Sequence, residues 1–210
     1  MTGCRFPPER QHSPSRRYVV FRWLGIAALT AQLAGGESRA WASDGSSERT
    51  AYLLTRAIGY DASLREHANI QVGIAVLFKK GDPVSEHAAA NLGAALESLA
   101  GTTVQGLTLR SRLVPFANAT ELRSSVGDNG INVFYLCEGL ESYLDAIVKL
   151  SWELKVLTVS GNEAMVRQGV ALGILLFAGS KGTLVVNLRI ARAEGANFGS
   201  DLLRVARVIR

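Results

Sequence analysis

The chain has 210 residues, 48% hydrophobic and 20% charged, which suits one ordinary globular domain and excludes a collagen-like, wholly disordered or multi-span membrane protein. Its formal charge of +5 is unevenly placed. Of 23 basic and 18 acidic residues, positions 1 to 42 hold six arginines (Arg5, Arg10, Arg16, Arg17, Arg22, Arg39) against Glu9 and Glu37, leaving 17 against 16 elsewhere, so the balance gives no argument for a nucleic-acid partner.

Residues 1 to 42 have the organisation of a cleavable secretory signal. Arg16 and Arg17 precede an apolar core from Trp23 to Ala34 that is short for a membrane span, and Ala40-Trp41-Ala42 offers small residues at the two positions a signal peptidase reads. Cleavage is expected after Ala42, leaving residues 43–210 as one exported α/β domain in the periplasm. An uncleaved amphipathic anchor is the alternative. Ser15-Arg16-Arg17 half-matches a twin-arginine signal, so the export route stays open. Cys4 leaves with the leader, and Cys137 is then the sole cysteine, so no disulfide forms within one chain. His12, His67 and His87 lack the spacing of a zinc site; His67 and His87 read as surface helix histidines. No metal or other cofactor is expected.

The spacing of Tyr52, Leu53, Arg56, Ala57, Tyr60 and Leu64 predicts a helix over 48–68, bent near Gly59. Gln71–Phe78 (QVGIAVLF) reads as the first strand, broken by Lys79-Lys80-Gly81-Asp82-Pro83. Ser85 is expected to cap an alanine-rich helix that stops at Gly101. A strand from Val104 to Val114 ends at Pro115, a short helix spans Thr120–Val126, and INVFYLC (Ile131–Cys137) makes the next strand, followed by a helix over Tyr143–Trp152. Lys155–Ser160 is a strand, and Glu163–Gln168 has room for about one helical turn. Val170–Ala178 and Thr183–Leu188 flank a glycine-bounded turn and read as an antiparallel hairpin, before two short helices over Ile190–Ala196 and Asp201–Val208. Strands alternating with helices require right-handed crossovers. The expected fold is therefore an α/β three-layer sandwich: a mostly parallel sheet of about five to six strands, helices on both faces, edged by the C-terminal hairpin.

Familiar catalytic signatures are missing from this sequence. There is no Gly-x-Gly-x-x-Gly between strand and helix, no P-loop and no Gly-x-Ser-x-Gly elbow. A thiol enzyme built from Cys137 with His67 or His87 is conceivable, since a helix starting after Cys137 would lower the thiol pKa; a cysteine ending an apolar strand is otherwise core packing. Glu138 and Glu141 read as first-turn carboxylates that offset a helix dipole. What remains is a place. In an open parallel sheet, ligands bind outside the carboxyl ends of the strands where the strand order reverses. With a 2-1-3-4 order, Lys79, Lys80, Asp82 and Ser85 would face Glu138 and Gly139 across a crevice, with Ser160 and Asn162 beside them. These eight residues are the candidate binding site for a small molecule.

Val156-Leu157-Thr158-Val159-Ser160, then Gly169 and Gly173, then Val186-Asn187-Leu188 with Ala191 and Gly195, then Leu202-Leu203 with Ala206, resemble in order and spacing the YfiR-like family of periplasmic regulators. Gly199-Ser200-Asp201 fits the terminal helix of that pattern. The resemblance is good over 130–210 and topological over 50–125. It implies a non-enzymatic protein that binds the periplasmic part of an inner-membrane sensor, a diguanylate cyclase whose cyclic-di-GMP synthesis it holds down, or a histidine kinase. Two departures matter: with Cys137 alone, intramolecular redox switching is not carried over, and the family's glycine pair is spread over Gly169, Val170 and Gly173. Asn187 is expected to cap the helix beginning near Arg189. A stand-alone small-molecule-binding protein is the alternative function, and a homodimer is compatible with either.

Overall fold

The computed structural model describes residues 44–68, 70–127, 130–177 and 182–209, all within one compact unit. The leader, its cleavage position and residues 178–181 of the C-terminal turn lie outside the described residues. Helix α1 (Asp44–Ile58) and the one-turn α2 (Leu64–His67) lead into β1 (Gln71–Lys79), then α3 (Pro83–Ser98), β2 (Thr103–Val104), β3 (Leu107–Phe116), α4 (Ala119–Gly127) and β4 (Ile131–Leu136). The second half runs α5 (Leu144–Leu154), β5 (Leu157–Ser160), α6 (Glu163–Gln168), β6 (Leu172–Leu175), β7 (Thr183–Asn187), α7 (Leu188–Ala193), α8 (Ser200–Val205) and β8 (Arg207–Ile209).

These strands form one sheet in the order β2-β3-β1-β4-β5-β6-β7-β8. The four strands β3-β1-β4-β5 are parallel and stand in the expected order, reversing between β1 and β4, and β6 with β7 is the expected antiparallel pair. Alternate residues of each central strand feed opposite cores, as a strand buried on both faces requires. Val72, Ile74 and Val76 of β1 join α1, α3, α7 and α8 through Leu54, Leu92, Ile190 and Leu202. Ala75 and Leu77 join α4, α5 and α6 through Leu122, Ile147 and Met165. The three-layer sandwich is thereby established, with eight strands in place of five to six.

The two extra strands have local causes. The single strand expected over 104–114 is broken by Gln105 and Gly106, both at positive φ, so that Val104 folds back onto Leu107 as the stub β2. Beyond that stub β3 has no outer neighbour in the sheet, which is why it tolerates Pro115 and runs on to Phe116. At the other end the expected helix over 201–208 stops at Val205, and Arg207–Ile209 add β8 in parallel beside β7, so the hairpin is not the sheet edge. Arg207 and Arg167 each bond Glu163 at 2.7 Å, which fastens β8 to α6 and holds that half-buried carboxyl below its ordinary pKa.

The helix caps follow side-chain chemistry. Asp82, not Ser85, caps α3: its carboxylate accepts from Val84 N and Ser85 N at 3.1 and 3.3 Å, with Pro83 at the first helical position, where a missing N–H costs nothing. Asn187 caps α7 by accepting from Ile190 N at 3.4 Å, as expected.

Glycine is required where β1 meets β4. A Cβ on Gly73 would stand 2.4 Å from the Gly130 carbonyl oxygen and 3.0 Å from Ile131 Cα, and the register shifts at this point. The Asn132 side chain bridges the irregularity, accepting from Gly73 N at 3.0 Å and donating to His67 O at 2.9 Å. Gly73→Ala is expected to cost about 1–3 kcal/mol through overpacking against backbone, read as a lowered urea midpoint with an unchanged slope.

Glu194, unnoticed in the sequence, is 1% exposed. Its carboxyl meets Thr158 N (2.8 Å), Thr158 Oγ1 (2.7 Å) and Ser151 Oγ (2.7 Å), joining α7, β5 and α5. Ser151 has one proton and also lies 2.8 Å from Val148 O. That proton is shared between Glu194 Oε1 and the Val148 carbonyl oxygen. Burial pushes the carboxyl pKa up to about 7, against the opposing pull of the Thr158 and Ser151 hydrogen bonds. Because the folded value is the raised one, the stabilisation is complete below the unfolded-state value near 4.5 and is lost as pH rises through about 7. Glu194→Gln, which mimics the neutral acid, should remove that component of the fall in thermal midpoint between pH 5 and pH 8.

Candidate functional site

A cavity of about 620 Å³ opens at the carboxyl ends of β4 and β5 on the side covered by α1 and α3. Helix α3 supplies Pro83, Val84, His87, Ala88, Asn91 and Leu92, and the first turns of α1 supply Ser46, Ser47 and Thr50. The floor is the end of β4, Tyr135 to Glu138, and the far wall is Ser160-Gly161-Asn162 after β5. This composition, an apolar floor with a few convergent polar groups, is that of a small-molecule pocket.

The eight residues singled out in the sequence divide here into three groups. Glu138, Ser160 and Asn162 line the cavity. Ser85, Asp82 and Gly139 close the gap between β1 and β4: the buried Ser85 hydroxyl accepts from Lys79 N at 2.9 Å, and Gly139, at φ +90°, lies against the Asp82 carboxylate. Lys79 and Lys80 stand at the end of β1 and are not on the cavity wall. Ser85 and Asp82 thus occupy the gap beside β1, and the open space is displaced by one strand, towards β5.

Ser160 and Asn162 already have partners. The Ser160 hydroxyl donates to Leu136 O at 3.0 Å and accepts from Asn162 N at 3.2 Å, while Asn162 caps α6 by accepting from Ala164 N at 2.8 Å. Two groups the sequence reading missed are different. Thr50 and Tyr135 are each only 9% exposed, both line the cavity, and neither hydroxyl has a hydrogen-bond partner among the described residues. No buried side-chain polar atom among the described residues lacks a partner, so these two hydroxyl oxygens are open to the cavity, where water or a ligand can reach them. Sequence carried a signal for Tyr135, a phenol near the end of a largely apolar strand, but none for Thr50.

Cys137 and His87 both line this cavity, whereas His67 lies on α2, its Nδ1 2.9 Å from Ser63 O. Burial first, and the Glu138 carboxylate second, push the Cys137 thiol up to about 12, the opposite of an activated nucleophile. Tyr135 is pushed upward by burial, then by Cys137 and Glu138. At pH 8 Cys137 should alkylate on the order of a thousandfold more slowly than a thiol of ordinary pKa, as timed by mass spectrometry with iodoacetamide. Comparable rates before and after denaturation would contradict this burial.

The fold and cavity together define an α/β sandwich with a pocket at its strand ends. The YfiR/HmsC-like family model matches residues 83–207, and the chain belongs to that family. No curated protein matches it. Among solved structures, a conserved domain protein from Vibrio cholerae O1 biovar El Tor superposes with a TM-score of 0.53 at 14% identity, over 79% of this chain and 60% of that one. The ABC domain in complex with L-Trp from Streptococcus pneumoniae gives 0.48 at 18%, over 73% and 60%. A ligand-free, open substrate-binding protein with adhesive properties from Clostridium difficile gives 0.48 at 15%, over 70% and 57%. The chain spans about three fifths of the length of these structures, and the likeness concerns fold alone.

Proposed function

We propose that the protein is an exported, non-enzymatic regulator that docks on the periplasmic part of an inner-membrane signalling protein, a diguanylate cyclase or a histidine kinase, and modulates its output. Membership of the YfiR/HmsC-like family is the observation that carries this reading. The leader over residues 1–42 supplies the export route, and no helix among the described residues is long and apolar enough to cross a membrane. A regulator of this kind acts by binding one state of its partner better than another, which requires a stable docking body and no chemistry.

One observation favours a second reading, a stand-alone periplasmic small-molecule-binding protein: the cavity with the unpartnered Thr50 and Tyr135 hydroxyls. The two readings join if the cavity, with Glu138, Ser160 and Asn162 on its wall and Asp82, Ser85, Gly139, Lys79 and Lys80 beside it, is where the regulator senses a ligand. Fractionation of the native host should recover the chain from the periplasm beginning at Ser43. Cross-linking in intact cells should join it to an inner-membrane protein bearing a cyclase or kinase domain. Retention in the cytoplasm with residues 1–42 attached would overturn the export reading; release into the periplasm with no such cross-link would leave the stand-alone binding protein.

A further inference from the structure

Resting on the reading of this cavity as a ligand site, we propose that it takes an organic molecule with an apolar body, hydrogen-bonding groups and no net negative charge. Among the described residues, the walls contain no lysine or arginine. The one carboxylate among these described lining residues is that of Glu138, which has no hydrogen bond or ion pair with any described residue. Phosphate-bearing and dicarboxylate ligands ordinarily need a cation in the pocket to offset desolvation.

Helix N-termini could substitute for such a cation, and those of α1 and α3 both reach the cavity. Each already carries carboxylate: Glu48 near the start of α1, Asp82 and Glu86 at the start of α3. The Asp82 carboxylate already accepts the Val84 and Ser85 N–H groups, so the α3 dipole meets an anion before any ligand arrives.

The remaining polar groups are neutral. Thr50 and Tyr135 are nine-tenths buried and unpartnered, and the half-buried Asn91 amide has no hydrogen bond with any described residue. They stand over the apolar surfaces of Val84, Ala88, Leu92 and Leu136. A hydroxyl, an amide and a phenol around an apolar floor suit an uncharged or singly cationic molecule, with Glu138 at hand for the cation. The hydroxyl wall belongs to α1, which lies before the region matched by the family model, so this selectivity is set by residues outside that match.

The test is a fragment library sorted by formal charge, screened against the isolated protein by amide chemical-shift mapping. Hits that move the amides of Tyr135, Cys137 and Gly161 should come from the neutral and cationic fragments. Tyr135→Phe and Thr50→Val should each weaken them about threefold to tenfold, the loss of one hydrogen bond, while the exposed Tyr52→Phe leaves them unchanged. Glu138→Gln should weaken only the cationic hits. Anionic fragments binding there as often as the others would overturn the charge assignment and leave the cavity a ligand site. No fragment of any charge moving those amides would instead sink the ligand-site reading itself.

Discussion

The architecture depends on how closely two backbones approach at the foot of the sheet. Gly73 of β1 sits so near the Gly130 carbonyl that no side chain fits between them, and Asn132 bridges the resulting irregularity. That contact lets β1 pair on one side with β3 and on the other with β4, which makes β1 the strand at which the chain reverses direction across the sheet. Right-handed crossovers then force α3 onto one face and α4 onto the other. Everything at the opposite, carboxyl end of the strands inherits this division: α3 leaves β1 toward one face, β4 and β5 end on open space, and α1 closes that space from the same side as α3.

A second set of contacts fixes the other half of the domain. Glu194 ends α7 inside the protein and gathers Thr158 of β5 and Ser151 of α5 around one carboxyl. Thr158 in turn accepts from Ala171 N at 2.9 Å, so the group also fixes the approach to β6. Burial makes this carboxyl costly when charged, and the hydrogen bonds from Thr158 and Ser151 offset part of that cost. The leucine-threonine-valine strand that marks the family pattern carries Thr158 at its centre, and the structure gives that threonine a physical reason: its hydroxyl donates to Glu194 at the end of α7 and accepts from Ala171 N ahead of β6.

Fold and function are distributed differently along this chain. The family match covers 83–207, which includes the glycines of the C-terminal pattern and the Asn187 cap. The cavity draws one wall from Ser46, Ser47 and Thr50, ahead of that region. The region shared with the family and the walls of the cavity therefore coincide only in part.

Periodicity and turn chemistry determined a great deal by themselves. Strands β1, β4 and β5, the single-turn α6, the β6–β7 hairpin and the β3-β1-β4-β5 order were legible because strands buried on both faces read as apolar runs and crossovers have one hand. Glu138, Ser160 and Asn162 could be placed at the strand ends on that basis alone. Tertiary structure decided what lies between those ends. Ser85 and Asp82 turn inward to hold β1 and α3 together, which shifts the opening by one strand, and Thr50 comes to it from a helix some eighty residues earlier than the floor. Glu194 became a buried acid and Arg207–Ile209 a strand for the same reason. Burial and pairing with distant residues override local preference, and a sequence read along its length shows only the preference.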